Sequence, residues 1–220
     1  CLYKLAATKP ILYSYFRSSA SWRVRIGLAL KGVEYETKAV HLVKDGGQQH
    51  TEEYKGLNPM EQVPTLIIDG FQFTQSIAIL EYLEETRKGP SLLPLDPDKR
   101  AQARSLAEMV NAGIQPLQNL SVLQKIGDEK KGEWAKYWID KGLNAIEKRL
   151  QDTAGKFCVG DEVTVADICL VPQMYNANRF KVDMTQFPTI QRICEECSKL
   201  EAFKEADPLN QPDCPEDMKK

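Results

Sequence analysis

Residues 11–32 read ILYSYFRSSASWRVRIGLALKG, and this stretch decides the fold. The aromatic and branched residues at 11–16 predict a β-strand, and the three serines that follow predict a turn. Apolar side chains then recur at the spacing of one helix face, at Trp22, Ile26, Leu30 and Val33. The stretch therefore predicts a strand, a turn and a helix, with Gly32 ending the helix.

The sequence that follows extends this unit. YETKAVHL predicts a second strand, TEEYKGL a short helix, and TLIIDGFQF two strands joined by an Asp69-Gly70 turn. QSIAILEYLEETRK predicts a last helix with Ile77, Leu80 and Leu83 on one face. Residues 9–88 are therefore predicted to form an α+β domain in the order β-α-β-α-β-β-α.

A change of composition marks the end of this domain. RKGPSLLPLDPDK at 87–99 contains three prolines and a glycine, which favour neither a helix nor a central strand. We place a linker at 89–99. Long stretches with helical periodicity follow, one of them with Ile139, Leu143, Ile146 and Leu150 on one face, so residues 100–220 are predicted to form an all-α helical bundle domain. The polar tail QPDCPEDMKK is expected to be loosely held.

Composition limits the class of protein. The 220 residues are 42% hydrophobic with a formal net charge of -2, which excludes a disordered chain and predicts no nucleic-acid partner. No apolar run approaches the roughly 18 residues of a membrane-spanning helix, and no secretory signal is evident. We therefore expect a cytoplasmic protein that has no membrane partner. A mitochondrial pool is left open. Residues 1–33 carry basic but no acidic side chains, which predicts either an anion site or a solvated basic face.

The six cysteines and two histidines restrict the chemistry. The cysteines are scattered from Cys1 to Cys214, so they predict reduced thiols rather than a disulfide framework. Cys194 and Cys197 form a C-x-x-C that is either a metal or redox pair or two residues on one helix face. Without a second such pair or spaced histidines, no metal site is predicted. Motifs of hydrolases, phosphate-binding loops and dinucleotide sites are also missing from the sequence.

Three places in the first domain carry hydrogen-bond donors. Ser18, Ser19 and Ser21 lie at the start of the first helix, where they serve either as caps or as donors to an anion such as a thiolate. Val63-Pro64 precedes a strand; a cis bond there would leave the Val63 backbone free to pair with an extended ligand, and a trans bond would start an edge strand. Gln75-Ser76 begins another helix. Together they suggest an extended peptide ligand with an anionic end.

At this point the sequence resembles the zeta class of the glutathione transferase superfamily. The resemblance runs from residue 9 to 215 and rests on these segments: SYFRSSASWRVRIGLALKG, LNPMEQVPTLIIDG, QSIAILEYLEET, GIQPLQNLSVL, CVGDEVTVADICLVPQ and NANRFKVD. It implies a thioredoxin-like glutathione-binding domain, a helical domain for an acidic second substrate, glutathione as cofactor, and a homodimer.

The resemblance also implies roles for individual residues. Ser18 would activate the glutathione thiol, with Ser19 beside it, and Arg179 would bind a substrate carboxylate. The remaining residues implied to contact glutathione or line its site are Ser21, Trp22, Arg23, Gln49, Val63, Gln75, Ser76, Gln115, Asn119 and Ser121.

The implied activity is a glutathione-dependent cis-trans isomerisation of maleylacetoacetate or maleylacetone to the fumaryl form, by reversible thiolate addition. One departure leaves alternatives open: members of the class usually read SSCSW, and this chain has Ala20 in place of the cysteine. The alternatives are glutathione transfer onto α-haloacids, and a glutathione-binding module with weakened catalysis.

Overall fold

The computed structural model describes residues 9–219, so Cys1 and the start of the basic segment 1–33 lie outside the described residues. The chain divides into two compact units. Of the described residues, the first unit comprises 9–90 and 202–219, and the helical unit comprises Ser91–Glu201. The sequence assigns 202–220 to the helical domain, whereas the structure packs residues 202–219 with the first unit.

The first unit is built on a four-stranded sheet. Its strands are β1 (Ile11–Ser14), β2 (Glu36–Ala39), β3 (Thr65–Ile68) and β4 (Phe71–Thr74), in the spatial order β2-β1-β3-β4. β1 pairs parallel with β2 and antiparallel with β3, and β4 is antiparallel to β3. The helices of this half are α1 (Ser19–Leu30), α2 (Glu52–Leu57) and α3 (Ser76–Thr86). The predicted order β-α-β-α-β-β-α is confirmed.

The remaining elements are helical. They are α4 (Pro97–Asn111), α5 (Leu120–Ile126), α6 (Lys131–Thr153), α7 (Val165–Arg179), α8 (Pro188–Ser198) and α9 (Glu201–Glu205). All four apolar residues predicted on one face of α6 are buried. No helix within residues 9–219 is long and apolar enough to cross a membrane.

Helix α1 is buried far more completely than one apolar face requires. Val24, Leu28 and Arg25 are at most 1% exposed, whereas Leu30 and Val33, predicted on the buried face, are partly exposed. Val24 and Leu28 join a core cluster with residues of β1, β3 and α3. A Cβ on Gly27 would lie 2.3 Å from Leu80 Cδ2, so the glycine permits close packing of α1 against α3. The prediction for α3 is wrong at one position. Ile79, and not the predicted Ile77, lies with Leu80 and Leu83 on the buried face of this helix.

Helix α7 begins with a buried carboxylate. Asp167 is fully buried and accepts hydrogen bonds from the backbone N–H groups of Cys158 and Thr164, both at 2.8 Å. The Thr164 side chain accepts a hydrogen bond from the Ala166 N–H in the first turn of α7, and Thr164 and Asp167 together form a capping box. Burial raises the pKa of Asp167, while these hydrogen bonds oppose the increase. Asp167 therefore has a structural role at the start of α7.

The C-terminal segment is held firmly, and the prediction of a loose tail is wrong. Pro208, Gln211 and Cys214 are buried. Cys214 packs into a cluster with Tyr15, Phe16, Val40, Tyr54 and Val63. Pattern reasoning failed here because these few buried side chains are interspersed with prolines and charges, without helical or strand periodicity.

Candidate functional site

Ser18 lies between β1 and α1 and is the N-cap of the helix. Its backbone is extended, with φ -70° and ψ 115°, and its Oγ accepts a hydrogen bond from the Ser21 N–H at 3.2 Å. Accepting this bond uses a lone pair of the hydroxyl and leaves its proton to donate elsewhere. Because the side chain is partly exposed at the positive end of α1, capping and donation to an anion are compatible.

The neighbouring side chains are less accessible than Ser18. Ser19 and Trp22 are each 7% exposed, and Ser21 is fully buried. Ser21 Oγ has no hydrogen-bond partner within residues 9–219. Their predicted contacts with glutathione remain predictions, and the structure places these three side chains mainly towards the interior of the first unit.

Three of the described basic residues in the first segment, Arg23, Arg25 and Lys31, are buried and do not form a solvated basic face. Lys31 is 9% exposed and its Nζ donates to Glu84 at 2.6 Å and to the Pro90 carbonyl at 2.8 Å. Arg23 is 1% exposed and its Nη1 donates to Ser76 Oγ at 3.2 Å. This bond brings the first turns of α1 and α3 together, which the sequence alone did not indicate.

The start of α3 is a second site with free backbone donors. Gln75 lies directly before the helix in the left-handed region, with φ 68°, and is exposed. It makes no side-chain capping bond, so no described side chain satisfies the first N–H groups of α3 in that way. A strained non-glycine backbone beside uncapped donors is typical of ligand-binding sites.

The peptide bond between Val63 and Pro64 is cis, which decides between the two conformations left open by the sequence. Val63 is 8% exposed and packs in the cluster that contains Tyr15 and Phe16. Within the described residues, no backbone hydrogen bond involves Val63. Its N–H and C=O are therefore suited to pair with an extended ligand.

Gln49 differs from the other predicted contacts because its amide is engaged within its own loop. It is 6% exposed, and its Nε2 lies 3.2 Å from the Leu42 carbonyl and 3.0 Å from His50 Nε2. Its side chain covers Gly47, whose φ is 100° and where a Cβ would lie 2.5 Å from the amide nitrogen. The geometry assigns Gln49 a clear role in ordering this loop, and its contact with glutathione remains a prediction.

The predicted residues of the helical unit lie in two segments. Gln115 begins a 3-10 turn, Asn119 caps α5 by accepting from the Leu120 N–H at 2.7 Å, and Ser121 is exposed in α5. Arg179 is the exposed last residue of α7, with its guanidinium 5.2 Å from the centre of the Phe180 ring.

A buried contact joins these two segments. Gln118 Nε2 donates to Gln173 Oε1 at 2.7 Å, which ties the 3-10 turn to α7.

The C-x-x-C pair lies on α8, with Cys197 buried and Cys194 partly exposed, as the helix-face interpretation predicts. Among residues 9–219, no group of three or more histidine, cysteine or acidic side chains has the arrangement of a metal site.

Sequence reasoning missed Asp213, which contacts the loop before Ser18. The only signal for it was an aspartate flanked by prolines in a tail that also contains Leu209 and Cys214.

The first unit contains a β2-β1-β3-β4 sheet, with a cis-proline before β3 and a serine at the start of α1, and an all-helical unit follows it in the chain. Residues 9–85 match the family described as Glutathione S-transferase, N-terminal domain, and residues 118–206 match the C-terminal domain family. The chain belongs to the glutathione S-transferase family.

Within that family the chain is similar to maleylacetoacetate isomerases and to the zeta class. Maleylacetoacetate isomerase from mouse (Mus musculus) is 59% identical over 215 residues, which span 98% of this chain and 100% of the mouse protein. The crystal structure of maleylacetoacetate isomerase from Anaeromyxobacter dehalogenans with bound glutathione is 47% identical, with a TM-score of 0.86 over 94% of this chain and 98% of that chain. The holo structure of maleylpyruvate isomerase, a bacterial zeta-class glutathione S-transferase, is 40% identical, with a TM-score of 0.89 over 93% and 100%.

Proposed function

We propose that the protein is a glutathione-dependent cis-trans isomerase that converts maleylacetoacetate, or maleylacetone, to the fumaryl form. The observation that carries this proposal is the geometry of Ser18, which caps α1 and still has a hydroxyl proton to donate at the positive end of the helix. The similarity to maleylacetoacetate isomerases supports the choice of substrate.

When bound, glutathione supplies a thiolate that adds reversibly to the conjugated cis double bond and allows rotation. Ser18 would stabilise this thiolate by donating a hydrogen bond from its hydroxyl group to the sulfur. A hydrogen bond to a charged group contributes about 1.5 to 3 kcal/mol, which corresponds to a decrease of the thiol pKa by about 1 to 2 units. The dipole of α1 adds about 0.3 to 1 kcal/mol in the same direction.

The first unit offers donors that fit a tripeptide with two carboxylates. The backbone of Val63 pairs with the extended peptide, and the uncapped start of α3, with Gln75 and Ser76, binds a carboxylate. The Ser76 hydroxyl accepts from Arg23, so its own proton remains available for this contact. Ser19, Ser21, Trp22, Arg23 and Gln49 shape this site from its buried side.

In the helical unit, Arg179 binds a carboxylate of the acidic substrate, and Gln115, Asn119 and Ser121 supply further polar contacts. The exposed position of Arg179 at the end of α7 suits this role, since a guanidinium forms strong paired hydrogen bonds with a carboxylate. These residue roles rest on the family resemblance.

The assay is the isomerisation of maleylacetone by the purified protein, followed by absorbance, with glutathione, without it, and with S-methylglutathione. We expect turnover only with glutathione, because S-methylglutathione has no thiol. Turnover that is equal in all three conditions would contradict the proposed function, as would glutathione binding without any turnover.

Ala20 is the reason to test two alternatives. It is partly exposed in the first turn of α1, where an alanine cannot supply a thiol. If the protein transfers glutathione onto α-haloacids, product analysis will show a glutathione conjugate and halide release. If it is a binding module, glutathione will bind without turnover, and Ala20→Cys will create isomerase activity.

We also propose that the protein forms a homodimer and is cytoplasmic, with a mitochondrial pool. The resemblance to zeta-class enzymes supports both proposals. Light scattering during size-exclusion chromatography will test the homodimer, since a dimer has twice the 24.9 kDa mass of one chain. Fractionation of cells, followed by detection with an antibody to the protein, will test the location.

A further inference from the structure

The loop before Ser18 is short and has little regular structure of its own. It consists of Tyr15, Phe16 and Arg17, between the end of β1 and the N-cap. One backbone bond lies within it, from the Ser18 N–H to the Tyr15 carbonyl at 2.9 Å. The position of the Ser18 hydroxyl therefore depends on what holds the peptide groups of this loop.

Phe16 is held at both of its backbone groups. Its N–H donates to Asp213 Oδ2 at 2.8 Å, and its carbonyl accepts from Arg25 Nη2 at 3.0 Å. Arg25 also donates from Nη1 to Ser14 Oγ and from Nε to the Ala206 carbonyl, both at 3.1 Å. The backbone two residues before Ser18 is thus connected twice to the C-terminal segment.

The C-terminal segment is itself ordered by its own hydrogen bonds. Gln211 Nε2 donates to the carbonyls of Glu205 and Asp207 at 2.8 and 2.9 Å. The Cys214 N–H donates to the Gln211 carbonyl at 3.0 Å, and the Cys214 side chain is 4% exposed. Asp213 lies between these two fixed residues, so its carboxylate is presented by a rigid support.

Charge favours this arrangement. Burial lowers the pKa of Arg25 to about 10, and the neighbouring Asp213 acts in the opposite direction, so Arg25 remains protonated at neutral pH. Asp213 Oδ1 is buried and has no hydrogen-bond partner within residues 9–219. A buried oxygen left in this way costs stability, which argues for a role of Asp213 other than stability alone.

We propose that Asp213 is a positioning residue for Ser18, which acts by holding the Phe16 N–H and through it the loop that carries the serine hydroxyl. This inference rests on the proposed function, because it takes Ser18 as the donor to the glutathione sulfur. A displacement of a reacting group by about 1 Å reduces rates about 100-fold, so a loop released at Phe16 affects catalysis directly.

The test compares Asp213→Ala with Asp213→Asn. Asparagine keeps a neutral acceptor oxygen for the Phe16 N–H, whereas alanine removes it. For Asp213→Ala we expect kcat for maleylacetone isomerisation to decrease about 10- to 100-fold. We expect the pKa of the bound glutathione thiol to increase by about 1 unit, measured from the ultraviolet absorbance of the thiolate. The KM for glutathione should change little, because Val63 and Ser76 are untouched.

The matched control is Asp217→Ala, which removes an exposed carboxylate from the same segment and should leave both quantities unchanged. Asp213→Asn should retain most of the wild-type kcat. If Asp213→Ala does not fold, Asp213→Glu replaces it, since the longer side chain keeps the charge but moves the acceptor away from the Phe16 N–H. A folded Asp213→Ala or Asp213→Glu protein with wild-type kcat and thiol pKa would overturn the inference.

Two measurements separate failure of this inference from failure of the proposed function. Ser18→Ala tests the serine itself: if it leaves the thiol pKa unchanged, the role of Ser18 in the proposed function is wrong. Amide hydrogen exchange tests the loop independently of catalysis. We expect the Phe16 amide to exchange faster in Asp213→Ala than in the wild type, while amides of α3 keep their rates. An unchanged exchange rate at the Phe16 amide would overturn the inference, whatever the thiol pKa is in Ser18→Ala.

Discussion

At the scale of single residues, the Ser18 hydroxyl caps α1, and its proposed second role is to donate a hydrogen bond to an anion. A hydroxyl can accept and donate at the same time, so the hydroxyl that caps α1 keeps a proton available for a bound anion. Side chains that cap a helix equally well differ in whether they can also donate a hydrogen bond. Substitution at Ser18 can therefore separate helix stability from catalysis.

We predict that Ser18→Asp retains the stability of the wild type but lowers kcat/KM about 100-fold, because aspartate is an equally good N-cap and donates no proton at neutral pH. Ser18→Thr should preserve both properties. Ser18→Ala should lower kcat/KM to a similar extent and also reduce the free energy of unfolding by about 1 kcal/mol. Urea unfolding and steady-state kinetics on the same preparations measure the two effects. Equal activity of the aspartate and threonine variants would contradict a donor role for Ser18.

At the scale of elements, the sequence predicted what depends on local periodicity. The strand, turn and helix of residues 11–32 and the buried face of α6 follow from spacings within one element. The nearly complete burial of α1 does not follow from such spacings, because it arises from β1, β3 and α3 packing around the helix. The site shows the same division: serines at helix starts were predicted, whereas the Arg23–Ser76 and Asp213–Phe16 bonds join residues 53 and 197 positions apart.

The β3–β4 hairpin and the end of α3 are joined by a carboxylate whose effect depends on pH. Asp69, in the hairpin turn, accepts hydrogen bonds from Arg87 and from the Tyr82 hydroxyl. The Arg87 bond, followed by the Tyr82 bond, lowers the pKa of Asp69 in the folded protein. The contribution to stability is therefore present above the pKa of about 3.9 of an unfolded aspartate, and is lost as the pH falls through the lower folded value.

We predict that Asp69→Asn lowers the free energy of unfolding at neutral pH by about 0.5 to 1 kcal/mol, the range of a solvent-exposed ion pair. The difference from wild type should disappear in acid once the pH falls below the lowered pKa of Asp69 in the folded protein, where the wild-type carboxyl group is also protonated. Asparagine suits this position because Asp69 has φ 56°. Urea unfolding at both pH values measures the effect, with Glu85→Gln on the exposed side of α3 as control. A difference that persists in acid would rule out the charge as its origin.

At the scale of the whole molecule, four of the described cysteines behave as core residues. Cys158, Cys169, Cys197 and Cys214 are buried, and burial raises the pKa of the Cys158 thiol. Thiols in such surroundings contain little of the thiolate that reacts with electrophiles. An enzyme that activates the thiol of a cofactor thus keeps its own thiols in these positions protonated.

We predict that iodoacetamide at neutral pH leaves Cys158, Cys169, Cys197 and Cys214 unmodified in the native protein and modifies all four in urea. Burial excludes the reagent from the native thiols, and unfolding exposes them. Mass spectrometry of the peptides gives the extent of reaction at each position. Rapid labelling of Cys197 under native conditions would show that α8 opens locally without global unfolding.

The burial of α1 also has a consequence for how this protein can change over evolutionary time. From Ser21 to Leu28 every side chain is enclosed, so most replacements there disturb the core. Between the end of β1 and that enclosed stretch, only Arg17, Ser18 and Ala20 are partly open to solvent. Replacements that leave the core undisturbed are therefore confined to these three positions, of which Ser18 is the proposed hydrogen-bond donor to the glutathione thiol. Position 20, where alanine stands in place of the usual cysteine, is one that the fold permits to vary.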